Sequence, residues 1–138
     1  MKNDPLVKQL ERKVEYCLAL AKDYYQTDFH YQEIRVDIRG RAAGQVRYQY
    51  SALSPALPLL RFNPNLLKRY GEEFIDQVVP HECAHLVVFK LYGIKNKTGK
   101  RVKPHGGEWK SVMQDLYHLE PKVTHQFEVE QTKKDQYI

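Results

Sequence analysis

The chain has 138 residues, 42% of them hydrophobic and 28% charged, with 22 lysines and arginines against 17 acids and a formal net charge of +5. That length suits a single domain, residues 1–138, with a real core, and the composition excludes low-complexity and fibrous classes. Two cysteines, Cys17 and Cys83, are too few for a secreted disulfide scaffold, and no apolar run approaches a membrane span. Met1-Lys2-Asn3-Asp4-Pro5 opens a charged helix rather than a signal peptide, so a soluble cytoplasmic protein with reduced thiols is expected. The basic excess suits an acidic partner such as nucleic acid, although many ordinary cytosolic proteins share it.

Apolar residues recur at Leu6, Leu10, Val14, Cys17, Leu18, Ala21, Tyr24 and Tyr25, which predicts an amphipathic helix from about Asp4 to Gln26. Asp4 and Pro5 suit its N-cap and first turn. Ile34, Val36 and Ile38 alternate with charged residues and predict a half-buried strand. Gly40 and Gly44 bracket a turn, and Val46, Tyr48 and Tyr50 predict a second strand closing a hairpin with the first. Leu59-Leu60-Arg61-Phe62 is a short third strand. Asn63-Pro64 then opens a short helix ending at Gly71. Glu72 to Tyr92 predicts a second long helix, apolar nearly all round after His81 and hence central and buried. Pro80 predicts a kink or break just before His81. Ile94 to Pro104 is a basic loop, Gly107 to about Leu119 a last helix, and the tail from Pro121 carries no clear pattern.

The central helix contains His81-Glu82-Cys83-Ala84-His85. Four residues apart on a helix, two imidazoles share one face and can reach one metal ion. Glu82 then falls beside the open metal position, where a base serves peptide hydrolysis. By average composition, chance produces such a pentad in roughly one chain of this size in a few hundred. Many chance matches would lie on polar segments, whereas this one sits in a strongly apolar helix, where an unpaired Glu82 would be costly to bury.

A catalytic zinc site needs a third protein ligand. One extended spacing of this motif would put glycine at position 88 and histidine at 91; the chain has Val88 and Leu91. A glutamate on a following helix is possible in principle. His105, in His105-Gly106-Gly107-Glu108-Trp109, is the better candidate, because the glycines allow a loop to fold back over the helix. His125 qualifies by residue type alone. Glu108 is a candidate to orient a ligand, Trp109 to brace one, and Tyr117 or His118 to stabilise an oxyanion, against bland readings as core or solvated residues. His30 has no partner motif.

Taken together, Val78-Val79-Pro80-His81-Glu82-Cys83-Ala84-His85-Leu86, His105-Gly106-Gly107-Glu108-Trp109, Thr124-His125-Gln126-Phe127-Glu128, Ala43-Gly44 and Arg61-Phe62-Asn63-Pro64 resemble the bacterial SprT proteins, in order along nearly the whole chain. The resemblance implies an α+β, zincin-like fold, with a small antiparallel three-stranded sheet packed on an active-site helix and flanking helices. It implies one zinc ion held by His81, His85 and His105, with Glu82 catalytic, in a metallopeptidase acting on a protein substrate. The domain is similar to the protease domain of Spartan, which cleaves proteins crosslinked to DNA. SprT proteins usually end in a cysteine-rich zinc ribbon, whereas no cysteine follows Cys83 here, so either a ribbonless member or a fragment is expected.

Lys95, Lys97, Lys100, Arg101 and Lys103 place five cations in nine positions with no acid among them, directly before His105. This loop is the candidate for non-specific, electrostatic DNA contact. Arg35, Arg39, Arg41 and Arg47, with Tyr48 and Tyr50, form a second basic and aromatic stretch that reads more simply as a solvated strand face. A different class remains open: a nucleic-acid-binding module whose zinc is structural. The intact Glu82 favours the enzyme, since a structural site has no use for a base there.

Overall fold

The computed structural model describes residues 4–48, 57–93 and 100–122. Helix α1, Pro5–Tyr25, starts where expected, with the Asp4 carboxylate accepting from the Leu6 amide at 2.8 Å. Its buried stripe is Val7, Leu10, Val14, Cys17, Leu18 and Ala21. α1 packs along the central helix α3, Glu72–Tyr92. Helix α2, Pro64–Tyr70, leads into α3 through Gly71, whose φ of 56° breaks the helical path.

The three expected strands are present as β1 Glu33–Arg35, β2 Gly44–Arg47 and β3 Leu59–Phe62, but their pairing corrects the hairpin. The order is β1-β3-β2: β1 runs parallel to β3 in the register Ile34↔Leu60, and β2 runs antiparallel to it with Val46↔Leu60. The sheet is therefore mixed rather than wholly antiparallel. The burial patterns supply the reason. Leu59, Leu60 and Phe62 are all buried, which suits a centre strand, whereas β1 and β2 alternate exposed with half-buried residues, which suits edges. Alternation reports that one face is covered; it does not say which strand lies alongside.

Asn63 locks this arrangement. Fully buried, its Oδ1 accepts from the amides of Asn65 and Leu66 at 3.0 and 3.2 Å and so caps α2. Its Nδ2 donates to the carbonyls of Gly40 and Ala42 at 2.9 and 3.0 Å. Its own amide donates to the Ala43 carbonyl at 2.9 Å. One side chain thereby fixes the start of α2 and the approach to β2.

Two further expectations change. Pro80 does not break α3, which runs unbroken from Glu72 to Tyr92. Proline removes one backbone bond, to the Asp76 carbonyl, and packing around a helix with twelve buried residues, Pro80 among them, holds the turn. The last helix ends early. α4 spans Gly107–Ser111 and widens into a π-helical turn, Val112–Leu116, in which the Tyr117 amide donates to the Val112 carbonyl at 3.2 Å. The wide turn keeps Val112, Met113 and Leu116 buried, and His118 leaves it with φ 54°. No helix among the described residues is long and apolar enough to cross a membrane.

Candidate metal centre

His81 and His85 project from one face of α3, and the segment before α4 brings His105 over them. The His105 Nε2 lies 3.1 Å from the His85 Nε2 and 3.3 Å from the His81 Nε2. Tetrahedral zinc at roughly 2.0–2.1 Å from each nitrogen would hold such atoms about 3.3 Å apart. The donor set thus fits the ion: three nitrogens converge at ligand spacing, and all three lie within 4.8 Å of one another. Burial pushes the His105 imidazole below its usual range, toward the neutral form that binds metal.

Trp109 holds the three rings in place. It is fully buried, with ring centroids 4.8 Å from His81, 4.7 Å from His105 and 5.5 Å from His85, the last nearly parallel at 21°. Its Nε1 donates to the His81 carbonyl at 3.3 Å, which ties α4 to α3. The indole is both core and brace, though His105 precedes α4 rather than sharing a helical face with it.

Glu82 is 4% exposed, and what makes room for it is a missing side chain. A Cβ on Gly44 would stand 2.8 Å from the Glu82 Cγ and 2.9 Å from its Oε2, inside any tolerable contact. β2 can therefore run against the carboxylate only because residue 44 is glycine. The chain of causes is short: Asn63 fixes Ala43, Ala43 delivers Gly44, and Gly44 admits Glu82 beside the histidines.

These groups open into a cavity of about 500 Å³. Gly44, Gln45, Val46, Tyr48, Val88, Phe89 and Val102 complete much of its wall, and Arg101 and Lys103 stand on it as exposed cations. Lys100 is exposed nearby in sequence, while Lys95 and Lys97 lie outside the described residues, as do Tyr50 and His125. The oxyanion candidates fall elsewhere. Neither Tyr117 nor His118 lines the cavity; the Tyr117 hydroxyl donates to the Cys17 carbonyl at 3.0 Å on the α1 side, and burial raises its pKa well above the usual value. Glu108 makes no hydrogen bond to the three histidines among the described residues, and His30 is exposed. Sequence reading missed the role of Gly44 and the apolar wall. A glycine inside a strand was the available signal for the first.

A long helix carrying two histidines and a glutamate, a third histidine folded over it and a small sheet alongside define a zincin-like α+β domain. The SprT-like family model matches residues 14–131, and the chain belongs to that family. It is 42% identical to Protein SprT of Pasteurella multocida over 132 residues, covering 96% of this chain and 72% of that protein. It is 37% identical to Protein SprT of Actinobacillus succinogenes over 121 residues, with coverage of 88% and 63%, and 35% identical to that of Shewanella oneidensis over 125 residues, with coverage of 91% and 71%. The chain thus spans about 63–72% of the length of these relatives. No solved structure gives a significant match.

Proposed function

We propose that this protein is a zinc-dependent metallopeptidase, with His81, His85 and His105 as ligands and Glu82 as general base. The observation that carries the reading is the buried Glu82, held against Gly44 and next in sequence to one of three converging imidazoles, at an open cavity. A bare structural site would need a fourth ligand and no such base. A zinc ion there would polarise the substrate carbonyl and bring the pKa of a water toward about 7. Glu82 takes the proton of the attacking water on its carboxylate and delivers it to the leaving amine nitrogen. β2 is an edge of the sheet among the described residues, so an extended peptide can add beside it and bring its backbone past Glu82.

Exposed Lys100, Arg101 and Lys103, close in sequence to His105, support a substrate carried on nucleic acid, with phosphates held electrostatically near the cleft. The same cations support the second reading, a nucleic-acid-binding module with structural zinc. One experiment separates them: zinc content and cleavage of an unstructured protein, with and without single-stranded DNA, for the native chain and Glu82→Gln. The peptidase reading expects the variant to keep its metal and to lose cleavage by about 10²–10⁴-fold. Equal cleavage by both proteins would sink it. Salt-sensitive DNA binding without any cleavage would establish the binding module instead, and cleavage indifferent to DNA would remove the nucleic-acid role.

A further inference from the structure

The metal-facing groups make up only part of the cavity. Much of the remaining wall is apolar: Val46 and Tyr48 from β2 and its end, Val88 and Phe89 from α3, and Val102 from the segment before His105. Tyr48 and Phe89 stack at 4.1 Å and 26°. The Tyr48 hydroxyl donates to the His85 carbonyl at 3.1 Å, so its polar end is turned to the helix backbone and its ring serves as wall. Val88, a turn beyond His85, is nearly fully buried yet borders the same space. This surface sits within one cavity with Glu82 and the histidines, at a volume, about 500 Å³, that admits a side chain rather than a domain.

The charge around it is one-sided. Arg101 and Lys103 stand on the wall and form no ion pair among the described residues. Among the described residues Glu82 is the single acid lining the cavity, and it is turned against Gly44. A cationic side chain entering here would meet two positive charges and an apolar wall, with no acid besides Glu82 on the wall among the described residues.

We propose that this cavity is a side-chain subsite of the peptidase, which accepts a bulky apolar residue of the substrate flanking the cleaved bond and rejects lysine and arginine. The proposal rests on the peptidase reading, and two measurements keep their fates apart. In the first, zinc-loaded Glu82→Gln protein is titrated with uncleaved peptides differing at one position, and binding is read by fluorescence anisotropy. Leucine or phenylalanine peptides bind at least about tenfold tighter than the alanine peptide, with lysine weakest. Val88→Phe narrows the cavity and lowers the phenylalanine-to-alanine ratio, and Arg101→Glu with Lys103→Glu raises the affinity for lysine. In the second, native protein is given an unstructured protein and the cuts are mapped by mass spectrometry. Bulky apolar residues then occupy one fixed position beside the cut. Equal binding of all peptides, or ratios untouched by both sets of variants, overturns the subsite. Cleavage without an apolar preference overturns the subsite and leaves the peptidase standing. A binding preference with no cleavage by native protein overturns both.

Discussion

The two faces of α3 are chemically opposite. His81, Glu82, His85, Val88 and Phe89 line the cavity, whereas Asp76, Pro80, Cys83 and Val87, at steps of four and three, lie on the other side of the same helix. There Asp76 meets Lys13 of α1 at 3.6 Å, and Cys83 is buried like Cys17 of α1. Burial, and then the neighbouring Cys17, pushes the Cys83 thiol up, so it remains a protonated packing group despite its place inside the histidine motif. The back face holds the helix in position. The front face places a carboxylate and imidazoles where burial alone disfavours them, a placement that costs stability.

The sharpest way to break the contrast is to neutralise the front and hollow the back. Glu82→Gln removes a buried charge at near-constant shape, so the melting temperature holds or rises while cleavage falls by about 10²–10⁴-fold. Leu10→Ala, in the fully buried stripe of α1, does the reverse: about 2–5 kcal/mol of stability is lost in urea unfolding, and cleavage per folded molecule is retained. A Glu82→Gln variant that unfolds easily, or a Leu10→Ala variant that folds but is inactive, would erase the distinction between the faces.

Gly44→Ala sharpens the comparison, because it intrudes on the front face from outside the helix. The added methyl arrives 2.8–3.0 Å from the Glu82 side chain, so the carboxylate or β2 must shift. Overpacking of this kind costs about 1–3 kcal/mol. Zinc binding should survive, since no donor atom is touched, while kcat falls more than KM rises. Loss of zinc, or unchanged kcat, would show that Gly44 does not position the base.

Much of this was legible in the sequence, and the gaps have a common cause. α1, α2, α3 and β3 follow from periodicity, caps and an apolar run, all local signals. The convergence of His81, His85 and His105 was legible because helical spacing fixes two of them and a glycine-rich segment admits the third. What escaped was who touches whom over long distances. Alternation in β1 and β2 concealed β3 between them. Pro80 suggested a kink or a break, and α3 runs through it without a break. Tyr117 looked available to the site until its hydroxyl was found on the Cys17 carbonyl. Gly44 was read as a turn residue, and its function depends on a glutamate 38 positions later.

The finest test applies one chemical deletion to each face. Trp109 and Tyr117 each donate a hydrogen bond to a backbone carbonyl of a long helix, the first to His81 of α3 at 3.3 Å, the second to Cys17 of α1 at 3.0 Å. Tyr117→Phe keeps the ring, removes only the donor and should cost about 1 kcal/mol in chemical denaturation, whereas Trp109→Phe also hollows a fully buried position and should cost more. Their consequences for metal should differ. The indole touches all three histidine rings, so Trp109→Phe loosens the ligands and weakens zinc binding by about 10–100-fold in a competition with a chelator. Tyr117→Phe acts on the α1 side, and zinc binding should stay at the native value. Equal zinc affinities in the two variants would mean that the site is set by α3 and the His105 segment without help from the indole, and that Trp109 belongs with the back of the helix as a packing residue.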